Sequence, residues 1–397
     1  MPVNSSTPAY IYDAVRLPRA RVRRSSGTLA GTRPVELVAH LLEALDERCG
    51  ASEIVDDVLL GISTVTGEQS GNIARAAVQW AGWPDHVPGG VVSRMCCSGL
   101  DAVETGAMRV AVGAARAVVA GGVESMSRVP MFADSPPLTA DPDLGERTGF
   151  VTIGVSADLT AARYGFGRDM LDSYAVASHR RAARAPALPS VIAVKVGDIA
   201  LESDEGVRPD VTLGELAALP ALFGEDPSWE RVARRLPGAP RPVGGLHTVA
   251  TAPQLADGAS AVLIGDAETG DRMSRKPRAQ IVGTARTAVR SPLLTAPVDA
   301  SKRALERAGI SARDLDVVEA NESFAVTPLM MIEELNLAPD CVNAFGGALA
   351  VGHPLGATGG ILVAQALDRL ERTGGEHALV TIPAALGLGA SLVLRRV

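Results

Sequence analysis

The first and last thirds of this chain run through strands and helices in the same order, and that repetition limits the folds open to it. Near the start, Tyr10–Val15 and Val55–Ile62 are short apolar runs of strand length. Pro34 opens a helix whose Leu37, Leu41, Leu42 and Leu45 share one face, and Asn72–Trp80 reads as a second helix. Val91–Val92 begin a strand that ends near Cys96, and Leu100, Val103, Ala107 and Val110 follow at helical spacing. Ala117–Ala120 is a buried strand closed by Gly121–Gly122. The last third gives a strand at Ala279–Thr284, a helix at Ala300–Ala308 ended by Gly309, and a strand at Leu315–Glu319. A helix at Phe324–Leu335, a strand at Cys341–Asn343 and a helix at Ile361–Leu370 follow, then strands Ala378–Ile382 and Ser391–Leu394 joined by a Gly-rich turn. Such alternation predicts an α/β fold, and the matching order of the two units predicts an internal duplication.

The middle of the chain breaks the pattern. From Glu124 to Pro253 it carries thirteen prolines, among them Pro136–Pro137, Pro209 and Pro242, and its helical pieces read as short. It reads as a long insertion packed over the α/β core, a natural place for a substrate cover. Length alone, 397 residues, allows two or three domains. Aromatics make up only 3%, so Ala, Val and Leu must build the core. The net charge of −7, without any block of like charge, gives nucleic-acid binding no electrostatic support. Four cysteines, Cys49, Cys96, Cys97 and Cys341, include no C-x-x-C pair, so neither a zinc site nor a disulfide scaffold is expected, and reduced thiols in a cytoplasm fit better. Met1–Tyr10 lacks the apolar stretch of a signal peptide. Val342–Leu367 is free of formal charge, yet six glycines, Asn343, His353 and Pro354 interrupt it, so it reads as a loop feeding a buried helix rather than as a membrane span.

Three segments carry chemistry. In Ser93-Arg94-Met95-Cys96-Cys97-Ser98-Gly99-Leu100 a cysteine sits where a strand turns into a helix. Small residues follow it, and the helix end favours a thiolate, which predicts a thiol pKa below the usual ~8.5 and a nucleophile fit for an acyl thioester. Both cysteines also suit the plainer role of small buried hydrophobes. In Asn343 to Gly360, His353 stands between Gly352 and Pro354 in a Gly-rich loop ahead of a helix. There it can take the proton of Cys96, or simply be satisfied by loop carbonyls. In Val318 to Ala325, Asn321 ends a strand and either fixes a water, polarises a carbonyl or caps the next helix.

Together these segments resemble the thiolase family. The family's C-x-S-G, N-E-A-F and G-G-A-x-x-x-G-H-P motifs stand here as Cys96-Cys97-Ser98-Gly99, Asn321-Glu322-Ser323-Phe324 and Gly346-Gly347-Ala348 through Gly352-His353-Pro354. Gly71–Arg75, Ala120–Met126, Asp204–Arg208, Asp257–Ala259 and Ala304–Gly309 also match, so the resemblance covers nearly the whole chain. It implies a duplicated five-layer α-β-α-β-α fold with an inserted loop domain. The halves would be residues 1–123 with 254–275, and 276–397, with the loop domain at 124–253 covering coenzyme A. It implies Cys96 as acyl carrier, His353 as its base, and Asn321 as anchor for an oxyanion-stabilising water. The backbones of Cys96 and Ala385 would form an oxyanion hole, and Ile153, Pro253 and Gly352 would line the substrate. A coenzyme A thioester would be the substrate, with no separate cofactor or metal. A homodimer or homotetramer in the cytoplasm is expected, serving fatty acid or polyketide metabolism.

One departure stands out. The family's second cysteine, the acid/base for the acyl α-carbon, falls without a gap on Pro383, and the glycine of that C-x-G motif falls on Ala385. Proline has neither an acid/base group nor an N–H. Ser93, Thr251, Pro253, Thr152 and Ile153 also depart from the usual residues of the site. Three readings follow. In the first, a thiolase-like acyltransferase replaces the missing group, with Cys97 the nearest thiol although its side chain should point away. In the second, a decarboxylating condensing enzyme or simple transacylase needs no such group. In the third, the chain is a non-catalytic subunit of a hetero-oligomer.

Overall fold

The computed structural model describes residues 7–23, 26–290 and 292–397. Part of the leader reading, residues 1–6, lies outside them. The N-terminal unit runs β1 (Tyr10–Arg16), α1 (Pro34–Cys49), β2 (Asp57–Gly61), α2 (Ile73–Trp80), β3 (Gly89–Val92), α3 (Ser98–Ala111) and β4 (Ala117–Ser125). After the insertion, which includes α4 (Ile153–Tyr164) and α5 (Arg168–Arg184), β5 (Ala256–Gly265) returns between β1 and β4. The C-terminal unit runs β6 (Ala279–Ala288), α6 (Ala296–Ala308), β7 (Val317–Ala320), α7 (Val326–Leu335), α8 (Thr358–Thr373), β8 (His377–Ala384) and β9 (Leu388–Arg396).

The strands lie in the order β7-β8-β9-β6-β1-β5-β4-β2-β3. β6 and β1 pair only over Ala279–Gln280 and Tyr10–Ile11, a short seam between two sheets of matching topology. Helices α3 and α8 lie between the sheets: α8 packs on β1, β4 and β5 from one side and on β7, β8 and β9 from the other. Leu100, Val103, Leu362, Val363, Leu367, Ile382 and Leu394 fill this central layer. Helix α1 covers the outer face of the first sheet and α6 that of the second, which completes five layers. The four leucines foreseen on α1 are fully buried, each stabilising by roughly 1.5–3 kcal/mol. Gly50 ends that helix with φ 62°, a conformation glycine takes without cost.

The expected elements change in three places. Gly121–Gly122 do not close a strand, because β4 continues through them to Ser125. A Cβ on Gly121 would sit 2.0 Å from the Ser260 carbonyl oxygen, and one on Gly122 would sit 2.1 Å from that of Gly356. These glycines admit neighbouring backbones instead of turning the chain. The strand expected at Cys341–Asn343 shrinks to a single bridge between Val342 and Val318. A 3-10 turn at Pro339–Cys341 precedes it, and Asn343 takes φ 48° after it. The helical pieces of the insertion are not all short: α5, with 17 residues, buries Leu171, Tyr174, Ala175 and Val176. Its apolar face is diluted by Arg and Asp, which hid the period. No helix among the described residues is long and apolar enough to cross a membrane.

Candidate active site

Both motif loops open the two helices of the central layer. The turn from Ser93 to Cys97 leads from β3 into α3 and reverses at Met95, which takes φ 52°. Ser98 staples the turn: its hydroxyl donates to the Met95 carbonyl at 2.6 Å and accepts from the Arg94 N–H at 2.8 Å. The Gly352–Ala357 loop leads into α8. The two meet through their glycines. A Cβ on Gly99 would stand 2.4 Å from the Gly356 carbonyl oxygen, and one on Gly359 would stand 2.0 Å from the Leu100 nitrogen. Backbone three residues beyond Cys96 therefore touches backbone three residues beyond His353.

His353 is 4% exposed. Its N–H donates to the Gln254 carbonyl at 2.8 Å, its Nδ1 lies 2.8 Å from Thr358 Oγ1, and its Nε2 lies 3.4 Å from Asn321 Nδ2. Asn321 Nδ2 is a donor, and it also reaches Ser323 Oγ at 2.7 Å. An imidazole nitrogen facing a donor carries a lone pair, so the proton sits on Nδ1 toward Thr358 and Nε2 is the free base. Burial, with the Arg19 guanidinium second, pushes the His353 pKa down to about 3, so the ring is neutral. Asn321 does not cap a helix. Helix α7 begins only at Val326, with Ala325 as its cap, and the Asn321 amide nitrogen is directed at Ser323 and His353.

Cys96 corrects one expectation. The start of a helix was expected to lower its pKa, but the thiol is 8% exposed and burial pushes it up to about 12, with the Glu124 carboxylate adding to the rise. Desolvation outweighs the helix end here. At rest Cys96 is a thiol and His353 a neutral imidazole, and a thiol needs a base to become a nucleophile.

Cys97 is fully buried, and its thiol donates to the Ile382 carbonyl at 3.4 Å. It points into the central layer and is no exposed acid. The same contact brings the end of β8 against the Cys96 turn. There Pro383 is buried and pairs across to Gly389. The strand alternation turns its backbone toward β7, as it does that of Thr381, and β7 has already ended at Ala320, so the missing N–H costs no ladder bond. Ala385 opens a tight turn to Gly387 in which Leu386 takes φ 65°.

The substrate positions divide. Gly352 and the segment of Pro253 are joined by the His353–Gln254 bond, and Gly352 takes φ 94° with no room for a Cβ beside Ala256. Ile153 begins α4 and packs at the edge of the cluster that holds Phe324 and Ala252. Thr251 accepts from the Ala325 N–H, and Thr152 turns outward to Asp226.

Sequence reasoning missed two charged residues. Glu124 and Arg19 are both buried, and each acts on one member of the pair. Glu124 lies in a quoted segment that offered no chemistry. Arg19 is one of many arginines, and no local pattern marks which of them turns inward.

A model of the thiolase N-terminal domain matches residues 10–228, and one of the thiolase C-terminal domain matches residues 275–396. A beta-ketoadipyl-CoA thiolase of Pseudomonas knackmussii is 37% identical over 99% of this chain and 100% of its own length. A steroid 3-ketoacyl-CoA thiolase of Mycobacterium tuberculosis is 34% identical over 98% of this chain and 94% of its own. The crystal structure of the Bacillus anthracis acetyl-CoA acetyltransferase superposes with a TM-score of 0.84 at 28% identity, covering 99% of this chain and 100% of that one.

Proposed function

This chain belongs to the thiolase family and is an acyltransferase, and from that premise we propose that it carries the acyl group of a 3-ketoacyl-CoA or acyl-CoA on Cys96. His353 Nε2 takes the Cys96 proton as the sulfur attacks the carbonyl. With an acyl-CoA the new S–C bond replaces the bond to the coenzyme A sulfur, which takes the proton back from the imidazolium as it departs; with a 3-ketoacyl-CoA it replaces the bond between the 3-keto carbon and the α-carbon, which leaves as acetyl-CoA. Asn321 holds the imidazole face that accepts the proton, and we assign it the water that stabilises the oxyanion together with the Cys96 and Ala385 N–H groups. The observation that carries this reading is the orientation of His353, with Nδ1 tied to Thr358 and Nε2 left facing Asn321.

Cleavage of a 3-ketoacyl-CoA also needs a proton at the departing α-carbon. Pro383 supplies none, and Cys97 is sealed against Ile382. These two observations favour a second reading, in which the carbon nucleophile arises by decarboxylation of a malonyl-type donor or the acyl group passes to a heteroatom. We place coenzyme A under the segment 124–253 and assign Ile153, Pro253 and Gly352 to the acyl-pantetheine channel. We also assign a cytoplasmic homodimer or homotetramer, which light scattering on the purified protein checks.

Mass spectrometry after incubation with acetyl-CoA tests the core of the proposal. An acyl adduct on Cys96 that vanishes in Cys96→Ala supports it. No adduct with any acyl-CoA or acyl-carrier thioester would favour a non-catalytic subunit. Parallel assays of acetoacetyl-CoA thiolysis, acetyl-CoA condensation and malonyl-CoA condensation separate the two enzymatic readings, since activity with malonyl-CoA alone selects decarboxylation.

A further inference from the structure

Glu124 is a fully buried carboxylate with all of its near acceptor positions filled. Oε2 accepts from the Ser63 and Gly356 N–H groups, both at 2.8 Å. Oε1 accepts from the Thr64 N–H at 3.1 Å and from Gln69 Nε2 at 2.8 Å. Three of these donors belong to the N-terminal half, on the loop that follows β2. The fourth, Gly356, lies in the C-terminal half, three residues after the candidate base. The Gly356 peptide has no slack. Its oxygen lies where Cβ atoms on Gly99 and Gly122 would be, and a Cβ on Gly356 itself would stand 2.7 Å from Glu124 Oε2 and from Ile62 Cα. Gln69 is fixed in turn, since its Oε1 accepts the Ser125 N–H at 2.6 Å.

We infer that Glu124 is a positioning residue for acyl transfer, one carboxylate that locks the His353 loop to the loop beneath the Cys96 turn and so sets the spacing of the thiol and the imidazole. The inference rests on the reading of Cys96 and His353 as the reacting pair. A carboxylate suits the task because it is acceptor-only and can take four N–H groups at once. It also has an electrostatic consequence, for it keeps Cys96 protonated until the base acts. Glu124 on β4 is the charged group that raises the Cys96 pKa, His353 is the base proposed to act on that thiol, and Glu104, Arg94 and Asp101 bear on the neighbouring Cys97, whose own thiol turns to Ile382.

Glu124→Gln gives two readouts of opposite sign. An amide turns two N–H bonds toward a site that offers only donors, so one pair of contacts fails and the loops move apart. A misplacement of about 1 Å is worth about 10²-fold in kcat, while KM changes less, because Ile153 of the channel stands on α4, outside the two loops. Alkylation of Cys96 by iodoacetamide draws on the thiolate in equilibrium with the buffer, so it becomes faster at fixed pH, because removing the charge moves the thiol profile to lower pH. A residue with only a structural role would lower kcat in step with the lost folded fraction and leave the alkylation profile of the folded fraction where it was. A kcat within twofold of wild type, or a kcat loss matched by the loss of circular dichroism with an unmoved alkylation profile, overturns the inference. Gln69→Ala decides if Glu124→Gln does not fold. It removes one donor and keeps the charge, so kcat falls severalfold with the alkylation profile unchanged, and an unchanged kcat overturns the inference. Failure of the Cys96 reading itself would appear separately, as absence of the acyl adduct from the wild-type protein.

Discussion

The two halves of the molecule place the same elements in the same order around the central layer, yet they open its helices differently. In the N-terminal half five residues, 93–97, separate β3 from α3, and they present a thiol. In the C-terminal half 15 residues, 343–357, separate the Val342 bridge from α8, and they present an imidazole. The strands beside these helices differ as well. β4 ends in Glu124–Ser125 and opens the long insertion, whereas β8 ends in Pro383–Ala384 and doubles back within three residues. Duplication supplies equivalent places for side chains, and loop length and composition decide what chemistry each place holds. On the proposed reading the first half supplies the acyl-accepting Cys96, the second supplies His353 and Asn321, and Pro383 stands where the family resemblance places the second acid.

The sharpest break between the halves is removal of the reacting groups themselves. Cys96→Ala should abolish the covalent adduct and all acyl transfer, and intact-mass spectrometry reads this directly. His353→Asn should keep the fold and lower the rate of adduct formation by about 10²–10⁴-fold, read by quenched-flow mass analysis. A His353→Asn variant that acylates at the wild-type rate would dissolve the pairing of the halves. The converse experiment restores the missing acid. Pro383→Cys should raise acetoacetyl-CoA thiolysis by up to about 10²–10⁴-fold and leave first-step acylation unchanged. Thiolysis that is already robust, and no faster in the variant, would show that another group protonates the α-carbon.

Much of this was legible in the sequence. Hydrophobic spacing placed α1 and α3, and Gly309 marked the end of α6, because such features are local. The motif segments named Cys96, His353 and Asn321 for the same reason. Other features depend on what a residue meets from the far half of the chain. Gly121 and Gly122 looked like a turn, but their small size serves backbones from β5 and the His353 loop. The Cys96 pKa was expected to fall because the helix end is a local signal, while the burial that raises it comes from packing between sheets. Glu124 and Arg19 were missed because nothing in one sequence separates a carboxylate or guanidinium that turns inward from one that faces water.

A smaller effect tests the charge state of the pair. Burial holds His353 neutral down to about pH 3 and Cys96 protonated up to about pH 12. A base whose pKa is depressed is in its working form above that pKa, and a thiol whose pKa is raised stays protonated below it. Adduct formation should therefore be flat between about pH 5 and pH 9. A limb near the ordinary histidine pKa of about 6.5 would show that the imidazole titrates in the free enzyme and that the pair is far less buried.

The smallest effect concerns the β8–β9 turn, the counterpart of the insertion. Leu386 holds φ 65° there, a left-handed conformation that costs an L residue roughly 1–2 kcal/mol. Its side chain is half-buried, so replacing it also loses some packing. Leu386→Gly removes the strain but adds backbone entropy to the unfolded chain, about 0.4–1 kcal/mol. The terms nearly cancel, and the melting temperature should move by no more than a few degrees. Function should respond more than stability, because this turn carries the Ala385 N–H assigned to the oxyanion. A freer turn blurs that donor's position, so kcat should fall by up to about tenfold with KM nearly constant. If kcat were untouched while the melting temperature rose, the strain at Leu386 would be separable from the site, and the Ala385 N–H would lose its place in the oxyanion hole.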